Sequence, residues 1–351
     1  MAEVRIQNSE VSTLRFFASL GLCVTLLFFS AAVSAQWIKQ NVDTTASLRG
    51  LSVVNEKVVW ASGSGGTVLR TVDGGKTWKV MIVPGAEKLD FRDVEAFDAN
   101  TAYILSIGNG ESSRIYKTTD GGKTWMLQFK NTDEKAFFDA LACSDRHWCY
   151  AVSDPVKALF LVIGTFDAGA HWDIQRWNGL YAVPGEAAFA ASGTCFISNG
   201  HRLFLVSGGA RASIYQAMLL ESSGSFSRSD GPIVSGSNGS GIFSIAMFDY
   251  NHGVIVGGNY EQPDDHEKNL AFTSDGGETW KLGTGLTGYR SGVTYIDKKT
   301  IIAVGTNGSD ITRDGGKTWT MLGKENLNAV QAKGRRAVWA VGPKGLVVKM
   351  R

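Results

Sequence analysis

The sequence has little proline, little cysteine and no excess of either charge. Proline accounts for 6 of 351 residues, so no Pro-rich linker divides the chain into separate domains. Its 35 basic side chains nearly balance 33 acidic ones, whereas nucleic-acid-binding domains are usually strongly basic. Glycine is abundant at 42 residues, and many glycine turns with few prolines are typical of a meander of short strands. We therefore expect one all-β domain and no nucleic-acid partner.

Cysteine is too sparse for a metal site. Besides Cys23, which lies in an apolar N-terminal run, the chain has Cys143, Cys149 and Cys195. Cys143 and Cys149 flank a predicted turn between two strands and can form a disulfide in an oxidising compartment, with unpaired thiols as the alternative. No pair has Cys-x-x-Cys spacing, so we expect no zinc site, no thioredoxin-type redox motif and no cofactor.

The N-terminus has the pattern of a processing segment. An apolar run extends from Phe16 to Phe29, and Val33 and Ala35 occupy the −3 and −1 positions of an Ala-x-Ala-like cleavage site. We interpret residues 1–35 as a signal peptide removed before Gln36, and residues 36–351 as a single domain. An uncleaved membrane anchor is the alternative, although the run is short for a span. Export to a periplasm, a lumen or the extracellular space is expected, with no stable membrane span after cleavage.

One eight-residue pattern, Thr-x-Asp-Gly-Gly-x-Thr-Trp, recurs along the chain. Its Asp and Trp positions are Asp73 and Trp78, Asp120 and Trp125, Asp167 and Trp172, Asp275 and Trp280, and Asp314 and Trp319. The third copy is weaker, and a decayed copy at 219–226 has Glu221 for Asp and Phe226 for Trp. The intervals between copies are close to those of four-stranded β-propeller blades.

The chemistry of this pattern is structural. Asp followed by two glycines favours a hairpin, because glycine accepts positive φ and Asp binds amides of its own turn. The Trp begins the next strand and can fill space between neighbouring sheets. We therefore assign these aspartates and tryptophans to folding and not to catalysis.

The repeat units predict a closed ring. They begin near residues 48, 91, 138, 186, 242, 290 and 327, and the last has three strands where the others have four. Trp37–Gln40 has the pattern of the missing strand, and pairing it with the last unit removes the open sheet edges. The prediction is a seven-bladed propeller with four-stranded antiparallel blades, closed by the N-terminal strand. Six blades is the alternative if residues 185–230 are irregular.

The repeats and the strands before them resemble the Asp-box, or bacterial neuraminidase repeat, proteins, which share the sialidase-superfamily fold. The segments 60–78 and 338–349 are most similar to the photosystem II stability and assembly factor subgroup. The resemblance covers nearly the whole mature chain and implies a propeller. It also implies a non-enzymatic protein that binds assembly intermediates, in part through arginine patches. Fold alone does not fix function.

A candidate site follows from the inner strands, whose starts surround the central channel of a propeller. The roughly equivalent positions are Arg49, Arg92, Asp139, Glu186, Phe243, Arg290 (shifted by one) and Asn328. Converging arginines bind carboxylates through their two-pronged donor geometry. The candidate binding residues are therefore Arg49, Arg92, Arg290, Glu186, Tyr260 and Tyr289.

Catalysis is the second hypothesis. A sialidase also uses three arginines with an acid and a Tyr–Glu pair, but the Phe-Arg-Ile-Pro segment of sialidases is absent. The candidate catalytic carboxylates are Asp93, Asp139, Asp154 and Glu186, whose separations the sequence does not fix. Mutual ion pairing around a wet channel is a further alternative. We expect a monomeric, exported, non-catalytic scaffold with a protein or glycan partner on one ring face; the alternative is a glycoside hydrolase acting at the channel mouth.

Overall fold

The computed structural model describes residues 36–219 and 224–351. Thirty strands and one 3-10 turn, Gly110–Ser112, lie in this part of the chain, which forms one compact unit. The strands form seven sheets around a ring. The predicted seven-bladed, all-β propeller is confirmed, and the six-bladed alternative is wrong. The predicted signal peptide, 1–35, falls outside the described residues, within which no helix is long and apolar enough to cross a membrane.

The first three blades follow one another without interruption, each with its strands in chain order from the channel outward. Blade 1 consists of Leu48–Val53, Val59–Gly63, Thr67–Thr71 and Lys79–Ile82. Blade 2 consists of Phe91–Ala96, Ala102–Ser106, Arg114–Thr118 and Met126–Lys130. Blade 3 consists of Phe138–Cys143, Cys149–Val156, Leu159–Thr165 and Asp173–Gln175.

The remaining blades complete the ring. Blade 4 consists of Phe196–Asn199, Arg202–Val206, Ser213–Met218 and Ser227–Asp230. Blade 5 consists of Ser240–Met247, Gly253–Asn259, Leu270–Thr273 and Lys281–Leu282, and it is extended by the short strands Glu186–Ala187 and Gly208–Gly209. Blade 6 consists of Gly292–Tyr295, Ile301–Gly305, Gly308–Thr312 and Thr320–Gly323. Blade 7 consists of Ala329–Ala332, Val338–Val341, Val347–Met350 and Trp37–Lys39.

The N-terminal strand closes the ring as predicted. Trp37 pairs with Met350, and Lys39 pairs with Val348, in antiparallel register. The Trp37 indole is buried and donates to the Ser309 hydroxyl of blade 6 at 2.9 Å. The outer strand of blade 7 is therefore fixed both by its own sheet and by the neighbouring blade.

The prediction that the fourth repeat unit begins near residue 186 is wrong. The inner strand of blade 4 begins at Phe196, whereas Glu186 pairs with Gly209 in an extension of the blade 5 sheet. Glycine allows this extension, because Gly209 has φ of +82° and a Cβ on Gly208 would lie 2.6 Å from the Ser240 carbonyl oxygen. Blades 3 and 4 are consequently separated by a long connection. The decayed repeat lies between the last two strands of blade 4, and its residues 220–223 are outside the described part.

Each intact Asp-box closes on itself through hydrogen bonds. In the first, the Thr71 hydroxyl donates to Asp73 Oδ1 at 2.8 Å, and the Thr77 amide and hydroxyl donate to the same carboxylate at 3.0 and 2.6 Å. These bonds lower the pKa of Asp73 to about 2, chiefly through Thr77. Asp120, Asp275 and Asp314 are held in the same way, and at Asp167 the amide and ring of His171 replace those of the second Thr; all four carboxylates have lowered pKa values.

The box tryptophans pack between blades. Trp78 meets Trp339 of blade 7 edge to face at 5.5 Å, and Trp125 meets Trp60 of blade 1 at 6.4 Å. Trp172 meets Tyr103 of blade 2 at 6.0 Å. Each of these boxes therefore contributes its aromatic ring to the interface with the preceding blade, where edge-to-face geometry is favourable.

The three described cysteines lie in blade 3 and directly before the inner strand of blade 4. Cys143 and Cys149 lie directly opposite each other on the first two strands of blade 3 and are joined by a disulfide. Cys195 is buried and unpaired.

Candidate functional site

Irregularities in the inner strands direct side chains to the channel mouth. In blades 1, 2, 3 and 5 the register shifts at the second or fourth residue of the inner strand, and the residues at these bulges are Arg49, Arg92, Asp139 and Phe243. A β-bulge leaves one residue unpaired and re-aims its side chain. Bulges therefore occur at four of the inner-strand positions that the repeats predicted to surround the channel.

A pocket of about 340 Å³ lies at this mouth. Two arginines, Arg49 and Arg92, form part of its lining, together with an aromatic group consisting of Phe189, Phe243, Tyr260 and Tyr289. Among the described residues that line it there is no carboxylate. The pocket therefore combines cationic donors with apolar ring surfaces.

A stretch of the connection between blades 3 and 4, residues 186–195, crosses the ring, and we call it the channel segment. Arg49 Nη1 donates to the Ala191 carbonyl at 3.1 Å, and Arg92 Nη1 donates to the Ala190 carbonyl at 3.3 Å. The Ala188 amide donates to Asp154 of blade 3 at 2.9 Å. The channel segment therefore contacts the inner ends of blades 1, 2 and 3.

The opposite side of the channel segment is held as well. The Ser192 hydroxyl donates to the Ser291 carbonyl at the start of blade 6 at 2.8 Å, and Thr194 and Ser244 of blade 5 share a hydrogen bond of 2.6 Å. These contacts on several blades fix the segment across the channel, where it forms the floor of the mouth pocket.

The two pocket arginines retain donors beyond these bonds. Arg92 Nε donates to Asp90 at 2.8 Å, while Arg49 has no ion-pair partner among the described residues. Burial lowers the pKa of Arg49, and the nearby Arg92 guanidinium lowers it further. An anion placed between the two guanidinium groups would offset both the burial of the Arg49 charge and its repulsion by Arg92.

The aromatic wall is tightly packed. Phe189 of the channel segment stacks on Phe243 with ring centroids 3.8 Å apart, and Tyr289 meets Phe243 edge to face at 4.8 Å. Tyr260 stands at the rim and is about half exposed, at 47%. A ligand at the arginines would therefore contact flat apolar surfaces on one side.

The predicted arginine triad does not form. Arg290 is fully buried, and its guanidinium contacts Asp310 at 2.5 Å. It also donates to the Asn307 side chain at 2.7 Å and to the Thr287 hydroxyl at 2.6 Å. Protein groups thus occupy its donors, and Arg290 does not line the pocket. Its hydrogen bonds and ion pair hold the loop before blade 6 in place.

The predicted role of Glu186 at the channel mouth is wrong for a similar reason. Glu186 is buried, and it accepts hydrogen bonds from the Ser207 hydroxyl at 2.5 Å, the Tyr215 hydroxyl at 2.9 Å and the Val183 amide at 2.9 Å. Its carboxylate stabilises the connection before the channel segment and does not reach the pocket or pair with Tyr260 or Tyr289.

The other candidate carboxylates lie beside the channel segment and do not line the mouth pocket; Asp93 and Asp139 are buried, and Asp154 is partly buried. Asp93 accepts bonds from the amides of Val94 at 2.8 Å and Leu141 at 2.7 Å. Burial raises the pKa of Asp93 to about 7 and that of Asp154 to about 6. Burial and the nearby Asp154 also raise the pKa of Asp139, whose Oδ2 has no hydrogen-bond partner.

Sequence reasoning missed the contribution of the channel segment. Phe189 and the carbonyls of Ala190 and Ala191 come from a stretch of small and apolar residues with no motif. The arginines that bind this stretch lie about 100 to 140 residues away along the chain. No local pattern connects them.

The comparisons with known proteins support this fold. Residues 29–132 match the family model described as photosynthesis system II assembly factor YCF48. The predicted resemblance to the Asp-box propellers and to the photosystem II assembly factors among them is confirmed. A search of curated proteins gives no match to this chain.

Solved propellers resemble the chain over most of its length. A structure of YCF48 bound to D1 peptide is 16% identical with a TM-score of 0.67, over 89% of this chain and 95% of the other. YCF48 from Cyanidioschyzon merolae is 16% identical with a TM-score of 0.66, over 90% and 99%. A GH74 enzyme from Niastella koreensis is 15% identical with a TM-score of 0.59, over 89% of this chain and 53% of the enzyme. At these identities the likeness shows the fold alone.

Proposed function

We propose that this protein is an exported, non-catalytic β-propeller that binds an extended segment of a partner protein at its channel mouth. One observation carries the proposal: Arg49 and Arg92 line a pocket of about 340 Å³ beside an aromatic wall, without a carboxylate among its lining residues. Such a pocket fits an acidic group flanked by an apolar side chain, since guanidinium groups bind carboxylates and aromatic rings cover apolar surface.

The comparisons make a protein partner the favoured class. The matched family model describes a photosystem assembly factor, and one of the similar structures holds a D1 peptide. These descriptions belong to the relatives, and the partner of this chain is proposed only as a protein segment. The channel segment supports such a role, because it closes the pocket floor and presents a surface at the mouth.

A glycoside hydrolase would need carboxylates at the same mouth. Glu186 accepts bonds from Tyr215 and Ser207, and Asp93 is buried with both oxygens bonded to amides. Among the described residues no acid pair therefore faces the arginine pocket, and no observation favours the catalytic alternative over binding.

The test is a peptide-binding measurement on residues 36–351. Fluorescence anisotropy with labelled peptides that contain or lack an acidic residue beside an apolar one would compare the native chain with an Arg49→Gln, Arg92→Gln variant. We expect Kd to rise at least about tenfold in the variant, because charge-assisted bonds are lost. Arg176→Gln, at an exposed arginine outside the pocket lining, is the control for the loss of a surface guanidinium.

Two outcomes would contradict the proposal. Equal peptide affinity in the pocket variant and the control would show that binding occurs elsewhere. Turnover in a parallel screen of glycoside substrates, lost in the pocket variant, would show that the site is catalytic.

A further inference from the structure

The face opposite the mouth pocket carries a cleft between blades 6 and 7. Its volume is about 400 Å³, and its walls include Lys299, Arg313 and Arg335. Lys299 lies in the loop that follows the inner strand of blade 6, and Arg335 lies in the corresponding loop of blade 7. Because inner strands begin at the mouth, these loops lie at the other end of the ring.

The cleft has a surplus of positive charge. Lys299 and Arg313 are exposed, and among the described residues no carboxylate forms an ion pair with the Lys299 ammonium or the Arg313 guanidinium, although the Lys299 backbone amide donates to Asp297 Oδ1 at 3.0 Å. Arg335 pairs with Asp297 at 2.9 Å, and Asp297 is the one acidic side chain in the described lining. Arg351 also lines the cleft.

Further lysines stand close to the walls. Lys298 precedes Lys299, and Lys333 lies two residues before Arg335; both are exposed. The patch is therefore basic although the whole chain has a formal net charge of only +2. Such a local excess raises the concentration of anions at this face.

The floor of the cleft is apolar. Ile296 and Ile311 line it and are 8% and 3% exposed, and Met350 lies beside them. Basic walls above an apolar floor suit an anion that carries aliphatic groups. A fully hydrated inorganic anion would use the walls only.

The chain enters the propeller at this cleft. The Arg351 amide donates to the carbonyl of Gln36 at 3.0 Å, so residue 36 is held at the cleft edge. Phe29, the end of the apolar run, is seven residues earlier, and an extended chain of that length spans at most about 25 Å. As long as residues 1–35 remain attached, a membrane that receives the apolar run must lie near this face.

From these observations we propose that the cleft between blades 6 and 7 binds the phosphate group of an anionic phospholipid and sets this face on a membrane surface. Lys299 and Arg313 contact the phosphate, Arg335 supports them, and the isoleucine floor covers the glycerol and upper acyl chain. The mouth pocket then faces away from the membrane and stays open to its partner.

The test is vesicle co-sedimentation of residues 36–351, which contain every strand of the closed ring and form one compact unit. Vesicles of phosphatidylcholine with or without phosphatidylglycerol are compared at an ionic strength of about 0.1 M, where the Debye length is about 10 Å. The cleft variant is Lys299→Gln with Arg313→Gln. The control is Lys76→Gln with Lys123→Gln, which removes the same charge from Asp-box loops on the same ring face.

We expect binding that requires phosphatidylglycerol and falls at least about tenfold in the cleft variant, given a contribution of about fivefold per basic residue at a charged surface. The control should lose much less, and the Arg49→Gln, Arg92→Gln variant should bind vesicles as the native chain does. Circular dichroism melts establish that each variant is folded.

Three results would overturn the proposal. Equal losses in the cleft and control variants would mean diffuse electrostatic attraction. Absence of binding to phosphatidylglycerol vesicles would exclude the lipid. If glycerol 3-phosphate or an acidic peptide binds in a cleft-dependent way while vesicles do not, the cleft takes a free phosphate or a protein segment instead.

Discussion

Lys349 lies over the indole ring of Trp339, with its Nζ atom 4.9 Å from the ring centroid. The same ammonium group donates to the carbonyl of Gly74, in the Asp-box of the next blade, at 3.1 Å. Lys117 repeats the arrangement with Tyr103 below it and the Ala168 carbonyl of the next Asp-box as acceptor at 2.6 Å. A cation on the third strand thus fastens one blade to the following one.

This contact predicts the effect of Lys349→Met. The substitution keeps the aliphatic stem but removes a cation–π contact and a charge-assisted hydrogen bond, so we expect the free energy of unfolding to fall by about 1–2 kcal/mol. Urea unfolding followed by tryptophan fluorescence measures the change. Lys79→Met, on the exposed outer strand of blade 1, is the control and should alter stability by less than about 0.5 kcal/mol. Similar losses of unfolding free energy in both variants would show that the contacts of Lys349 with Trp339 and Gly74 do not stabilise the fold.

The closing strand gives a second prediction. Trp37 is 6% exposed and packs with Ile311 and Val330 in the core between blades 6 and 7. Trp37→Ala should lower the free energy of unfolding by about 3–5 kcal/mol because it leaves a large cavity. Trp37→Phe keeps most of the packing and loses the bond to Ser309, so about 1 kcal/mol is expected. Equal stability of the alanine variant and the native chain would show that the ring does not depend on this strand.

The blades were predictable because their signals are local. Each Asp-box fixes its turn through its Asp and through Thr or His groups at most four residues away, and its partly buried Trp follows directly in the sequence. The incomplete last unit and the lone strand at Trp37 indicated ring closure, because each supplies what the other lacks. Contacts between residues that are close in sequence can be recognised from one sequence alone.

The site was predictable only in part, because its members are distant in sequence. Arg49, Arg92 and Arg290 occupy similar repeat positions. Arg290, however, is buried in an ion pair with Asp310. The repeat position of Arg290 is shifted by one relative to those of Arg49 and Arg92, and this offset is the local signal that distinguishes it. The interval from the preceding repeat predicts the start of a blade near Glu186, whereas small residues at 186–195 allow the chain to cross the channel.

The disulfide gives a third prediction. Cys143 and Cys149 are six residues apart, so their bond closes a short loop and should stabilise the fold by about 2 kcal/mol. Reduction, or the paired substitution Cys143→Ser with Cys149→Ser, should lower the midpoint of urea unfolding accordingly. Intact-mass analysis under native conditions should show one thiol pair protected from alkylation. Cys195 should become reactive only on unfolding, since it is buried. Rapid alkylation of all three cysteines in the folded chain would exclude the bond.

Asp154 gives a prediction about pH. Burial raises its pKa to about 6 in the folded state, above the ordinary value of 3.8. Between these values the folded state binds more protons than the unfolded state, so the stability contributed by this carboxyl is complete below about pH 4 and is lost as the pH rises through 6. Asp93, with a pKa raised to about 7, and Asp139 act in the same direction.

Asp154→Asn removes this titration while its side-chain oxygen can still accept the bond from the Ala188 amide. Relative to the native chain, the variant should therefore gain about 1–2 kcal/mol between pH 4 and pH 8. Urea unfolding at several pH values measures the difference between the two proteins at each pH. Asp98→Asn, at a half-exposed carboxylate in the loop after the inner strand of blade 2, controls for the loss of one charge. A difference that stays constant with pH would show that Asp154 is ionised in the folded protein throughout this range, as an exposed carboxylate would be.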